Sequence, residues 1–195
     1  MRTVINALLL LLTAFLVYLM INSVREPISF SAELDKRKDA VIAKLKKIQT
    51  TQDVYRMVTG KYANNFDSLA SNIKNGKIKI EKLDADPTDP TNQDKFIRSI
   101  SYRAAQDSLF SLLGGAINLD SLRYVPYGNG KVFEIDADTL THQNNLVNVV
   151  QVGIKYKEFM GKFADEKYKK YDKFYDPEKI LKFGDMNSPN TNGNW

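Results

Sequence analysis

The chain has 195 residues, 43% hydrophobic, 26% charged and 11% aromatic, with a formal net charge of +5; this is the composition of a folded protein with room for one ordinary domain beside an anchor. It contains no cysteine, which excludes disulfide frameworks, thiolate zinc sites, cysteine nucleophiles and lipoprotein-type attachment, and leaves the redox compartment open. Charge is uneven, with twelve Lys/Arg against six Asp/Glu over residues 31–82 and seven against ten over 83–160. The basic block suits lipid headgroups or an acidic partner, and a solvated lysine-rich helix face explains it more simply.

From Val4 to Ile21 run eighteen residues without a charge, interrupted only by Asn6, Thr13 and Tyr18. As a helix they span roughly 27 Å against a hydrocarbon core of about 30 Å, so residues 1–24 are expected to be a transmembrane anchor lying in the bilayer through residues 4–21. A cleaved signal peptide wants a shorter apolar region and a small-residue site. Asn22-Ser23-Val24-Arg25 offers no such site, and the anchor is expected to stay attached. Arg2 and the amino terminus compete with Arg25, Lys36, Arg37 and Lys38 for the cytoplasmic side. Long C-terminal domains cross regardless of such counts, so charge alone leaves the orientation open.

Pro27 lacks an amide donor and restricts Glu26, so Glu26 to Phe30 is expected to break or kink the helix, giving a short linker over residues 25–30. A new helix should start at Ser31, with that hydroxyl as N-cap and Glu33 in the first turn. Leu34, Val41, Ile48 and Tyr55 recur every seven residues with Leu45 beside them, so one apolar stripe runs to a stop at Gly60. The stripe is read as a core face; the alternative is a partner-binding seam of coiled-coil type.

Asn65 to Ile73 reads as a short helix closed by Asn75-Gly76, and Lys77 to Lys82 alternates Lys and Ile as a half-buried strand. Asp84 to Asp94 is a proline-bearing loop. Its Asp84, Asp86, Asp89 and Asp94 are weak candidates for calcium ligands, and turn formation is the preferred reading. Tyr127-Gly128-Asn129-Gly130 signals a hairpin between Leu122–Val125 and Lys131–Ile135. Leu146 to Phe159 supplies another strand-like run, Asp165 to Phe183 is helix-prone as far as Pro177, and the Asn-rich residues 187–195 form an extended tail.

The expected fold is therefore α+β: a transmembrane helix, a long amphipathic helix packed on a small antiparallel sheet, and a C-terminal helix, with the soluble domain over 31–186.

Catalytic motifs are lacking. His142 stands alone without a Gly-x-Ser-x-Gly or a cysteine, Ser71-Asn72-Ile73-Lys74 lacks the companion motifs of a Ser-x-x-Lys enzyme, and the glycine pairs have no phosphate-loop spacing. No enzyme activity, cofactor, resident metal or small-molecule substrate is expected. Tyr168, Lys169, Lys170, Tyr171, Lys173, Phe174 and Tyr175 have the composition to stack nucleic-acid bases. The three tyrosines share one helical face, which favours packing of aromatics onto the domain with lysines in water, and no nucleic acid is assigned.

Lys44 to Arg56, followed by Gly60-Lys61-Tyr62-Ala63 and Phe66-Asp67-Ser68-Leu69, resembles the end of the long first helix of type IV pilins and type II secretion pseudopilins. The whole chain, with Asp120 to Gly128 and the ending Gly193-Asn194-Trp195, also resembles a family of single-pass envelope proteins of the Bacteroidota. These resemblances imply a pilin-like fold in the N-terminal half, an inner-membrane location with the domain in the periplasm, and partnership with other membrane or envelope proteins. They imply a non-enzymatic subunit of a cell-envelope machine for protein secretion or pilus-like assembly; the alternative is a membrane-anchored binding module for an acidic partner, lipid or metal. No Gly precedes Val4 and no acid lies within the anchor, so prepilin-peptidase processing and the usual fibre assembly are not expected.

Overall fold

The structure, a computed structural model, describes residues 1–85 and 96–195. It is a mixed helix and sheet protein in which a single helix, α1, runs from Arg2 to Thr59. After it come α2 (Phe66–Asn75), β1 (Lys77–Ala85), β2 (Phe96–Ala104), α3 (Ala105–Leu113), β3 (Glu134–His142), β4 (Asn145–Lys155), α4 (Tyr156–Met160) and β5 (Ile180–Gly184).

The expected linker at 25–30 is replaced by continuous helix through Pro27. Proline removes one backbone hydrogen bond but its φ is compatible with a helix, so local preference can be overridden where tertiary packing holds the turns on either side. Here Glu26 and Phe30, flanking Pro27, are both held by the domain: the Tyr171 hydroxyl donates to Glu26 (2.7 Å) and Phe30 is fully buried. The domain therefore reaches back past Ser31 to Glu26. At its other end α1 stops where the sequence places the stop. Gly60 adopts φ 82° and its amide caps the Arg56 carbonyl at 2.8 Å, a left-handed conformation that costs glycine nothing.

After that stop the chain folds back onto the helix, and one polar side chain fixes the return. Gln52 is 1% exposed; its amide nitrogen donates to the Ala63 carbonyl and its amide oxygen accepts from the Ala63 N–H, both at 2.9 Å. Gln52→Leu would leave both backbone groups of Ala63 without partners in an apolar setting. We expect it to cost about 1 to 3 kcal/mol, read as a lower denaturation midpoint with unchanged helix content.

The short helix α2 forms as its sequence signals require. Asn65 caps it by accepting from the Ser68 N–H at 2.7 Å, and Phe66, Leu69, Ala70 and Ile73 turn one buried face towards the core. The heaviest packing of α1 is against α3 and α2, and α1 also meets β1, α4 and β5. Helices as well as sheet thus cover the long helix.

The described residues form two antiparallel sheets, β1-β2 and β3-β4-β5. In the three-stranded sheet, register sets Ala137 opposite Val150, Ile135 opposite Val152, Val152 opposite Phe183 and Ile154 opposite Leu181. Residues directly opposite share a face, so this row is the core face, and all seven belong to or pack on the one hydrophobic cluster. Gly184 ends β5 at φ 78°, where a Cβ would stand 1.9 Å from the Val150 carbonyl oxygen. The tail does not hang free. Its Asn192 carbonyl accepts from the Gly184 N–H and its Asn194 N–H donates to the Lys182 carbonyl, each at 3.0 Å, along the outer edge of β5.

Two further expectations are corrected. The hairpin at Tyr127–Gly130 is present but small: Tyr124 and Val132 form an isolated bridge, and the chain then leaves to build β3 against β4. The C-terminal helix expected over Asp165–Phe183 is replaced by a 3-10 segment at Glu166–Lys170, turns, and strand β5.

Candidate functional site

The N-terminal part of α1 is long and apolar enough to cross a membrane, and none of that apolar window is buried against the protein. Leu8 to Leu12, Phe15, Leu16 and Ile21 are all exposed, an arrangement that water opposes and lipid favours. The Thr13 hydroxyl donates to the Leu9 carbonyl at 2.8 Å, so this polar group is satisfied within the helix. The span by itself is a weak sign of a single-pass membrane protein.

Where α1 leaves the apolar run it enters a cage of rings. Phe30 stacks on Tyr168 (centroids 5.4 Å apart, planes 6° apart) and meets Tyr175 edge-on at 5.0 Å and Phe163 at 5.7 Å, with Tyr171 tilted at 6.1 Å. Stacked and edge-to-face pairs at these separations contribute beyond their buried area. Tyr175 donates its hydroxyl to the Phe163 carbonyl at 2.6 Å, and burial pushes its phenol up to about 12. Lysines rim the cage: Lys162, Lys167 and Lys170 lie over the rings of Phe163, Tyr168 and Tyr171 at 4.8, 5.0 and 4.5 Å. The proximity of Tyr171 raises Lys170 above the usual lysine range.

The sequence grouped Tyr168, Tyr171 and Tyr175 as packing residues on one helical face. They do pack together, around Phe30, but on 3-10 and turn backbone. Arg37 fastens the next turn of α1 to the same lobe, donating to Glu33 at 2.7 Å and to the Phe159 carbonyl at 2.8 Å. That hydrogen bond holds the Glu33 carboxyl below its ordinary range.

Leu34, Val41, Leu45, Ile48 and Tyr55 lie in the hydrophobic cluster, each 8% exposed or less. Lys36, Lys46 and Lys47 are exposed on the same helix. Of the calcium candidates, Asp86, Asp89 and Asp94 lie outside the described residues, and the carboxylate of Asp84 on β1 is likewise not described. Among the described residues no group of three or more His, Asp or Glu is placed to hold a metal ion. His142 is exposed at the end of β3, and Lys74 of the Ser-x-x-Lys match pairs with Asp120 at 3.1 Å.

Phe30, Glu26 and Arg37 are the residues the sequence reading missed. Their signal was present in part: Phe30 is an aromatic four residues before Leu34, extending the stripe by one turn back towards the proline. No family model, no curated protein and no solved structure matches this chain.

Proposed function

We propose that the chain is a non-enzymatic inner-membrane subunit of a multiprotein cell-envelope machine for secretion or pilus-like assembly, pilin- or pseudopilin-like in its N-terminal half, with its domain in the periplasm. One observation carries the reading. The helix that holds the exposed apolar span continues without a break into the centre of the domain, so α1 fixes the domain's distance and rotation relative to the bilayer. A flexible tether suffices to localise an enzyme or a receptor, whereas a rigid shaft of 58 residues suits a part whose job is to be positioned among other subunits. The resemblance of residues 44–69 to pilins and pseudopilins supports the same reading.

Co-purification of the full chain from membranes in mild detergent, with partners identified by mass, tests it. Recovery of secretion or pilus-assembly proteins is the expected result; recovery of the chain with lipid or metal and no protein partner would favour the membrane-anchored binding module. Intact mass should include the first 24 residues, and loss of about 23 residues would refute an uncleaved anchor. A C-terminal alkaline phosphatase fusion should be active; an inactive fusion would place the domain in the cytoplasm and leave an adaptor as the better description.

A further inference from the structure

Between the end of the apolar span and the ring cage lies a cleft of about 510 Å³ lined by Arg25, Glu26, Ser29, Lys162, Phe163 and Tyr168. Its height above the span follows from helix geometry. At 1.5 Å per residue, Arg25 and Ser29 stand roughly 6 and 12 Å beyond Ile21, and side chains on a helix lean towards its N-terminus, here towards the bilayer. The headgroup zone on each side of the hydrocarbon core is roughly 5 to 8 Å thick. The mouth of the cleft therefore opens at headgroup level.

We propose that this cleft seats the phosphodiester of an anionic phospholipid from the bilayer that holds the anchor, so that the 161–171 lobe rests on lipid as well as on α1. The inference rests on the membrane-anchored reading above. Charge complementarity supports it. Arg25 and Lys162 line the cleft with exposed charges, Lys167 and Lys170 stand beside it, and among the described residues none of these four forms an ion pair. The wall also holds one acid, Glu26, which accepts the Tyr171 hydroxyl at 2.7 Å; two basic side chains line the cleft against that single carboxylate, and the guanidinium, the ammonium and the Ser29 hydroxyl are the groups able to meet phosphate oxygens. Phe163 and Tyr168, 3% and 6% exposed, close the inner wall of the cleft and hold its shape. Lysines farther along α1, such as Lys46, line no such cleft.

The test uses the full chain reconstituted into bilayers of phosphatidylcholine and phosphatidylglycerol, then released for native mass spectrometry with bound lipids counted. The wild type should retain phosphatidylglycerol in preference to phosphatidylcholine. Removing one interfacial basic charge weakens such binding by roughly fivefold, so Lys162→Gln should lower the preference by about that factor and Arg25→Gln/Lys162→Gln should abolish it. Lys46→Gln/Lys61→Gln, one far along α1 and the other just past its end, should leave it unchanged. If the double variant loses its tyrosine near-UV signal, the single Lys162→Gln decides. Equal retention of the two lipids by the wild type, or a preference that survives loss of Arg25 and Lys162, overturns the proposal. So does displacement of the lipid by excess inorganic phosphate, which would indicate a soluble-anion site instead. Failure of anchoring reads differently: the chain would leave vesicles in an alkaline wash, and the function proposed above would fall with it.

Discussion

Phe30→Ala is expected to destabilise the domain by about 3 to 5 kcal/mol, more than any substitution in the lysine-rich segments around it. The side chain is 0% exposed and is the common neighbour of Phe163, Tyr168, Tyr171 and Tyr175. Truncation removes the hydrophobic contribution of one ring and opens a void that four rigid rings on short turns are poorly placed to fill. It also loosens the one tertiary anchor that directly follows Pro27, so the helix should lose its continuity there. Chemical denaturation of the full chain in mild detergent, followed by near-UV circular dichroism, measures the cost, because immobilised rings such as the buried Tyr168 and Tyr175 carry that signal, whereas Tyr18 of the apolar span is exposed. A change below about 1 kcal/mol would mean that the cage is held by its own turns. The same logic sets the boundary of a soluble fragment. One that begins at Arg25 keeps Phe30 and Glu26, and should unfold at higher denaturant than one that begins at Ser31.

Legibility of the fold in the sequence divides along a physical line. Elements whose signals are local were readable: the capped helix after Asn65, the Lys/Ile alternation of β1, the valine run of β4 and the left-handed stop at Gly60. Each is determined by residues within a few positions of itself. The helix expected at Asp165–Phe183 failed for an identifiable reason. Tyr168, Tyr171 and Tyr175 have helical spacing, but three aspartates intervene. Asp165 accepts from the Lys167 N–H at 2.9 Å, Asp172 from the Phe174 N–H at 2.8 Å and Asp176 from the Glu178 N–H at 3.1 Å. Each such turn offers the backbone a local partner in place of the helical one, and three in twelve residues are enough to break the period.

Pro27 is the opposite case. The residue's own preference pointed to a break, and long-range partners, more than 130 residues away in sequence, hold the helix together across it. Strand β2 was missed because its pairing with β1 is decided between segments that ten residues separate in the sequence. Ile100, Tyr102 and Ala104 alternate with Ser101 and Arg103, but both faces of this stretch are exposed, so no buried side marks it as a strand. In the candidate site the same division holds: the basic and aromatic composition of residues 168–175 was visible, but its meeting with Glu26 and Phe30 could not be read without the continuous helix.

Ile48→Ala is expected to cost about 2 to 5 kcal/mol, while Lys46→Ala, two residues earlier on the same helix, should change stability by no more than about 0.5 kcal/mol. Ile48 is 0% exposed and sits between Leu45 and Val54, also fully buried, in the cluster that joins α1 to α2, α3 and the sheet; Lys46 is exposed, and among the described residues it forms no ion pair. The contrast discriminates between the two uses the stripe could have. A core stripe binds α1 to its own domain, so truncation at Ile48 must appear in the isolated chain as a lower denaturation midpoint. A stripe reserved for a partner would leave the isolated chain as stable as before and fail only when the complex is assembled in membranes. The first outcome is expected, because the side chains that cover Ile48 are supplied by this chain. Neutrality in the isolated chain, joined to loss of co-purifying partners, would instead make α1 an assembly seam and remove the fixed shaft on which the proposed function rests.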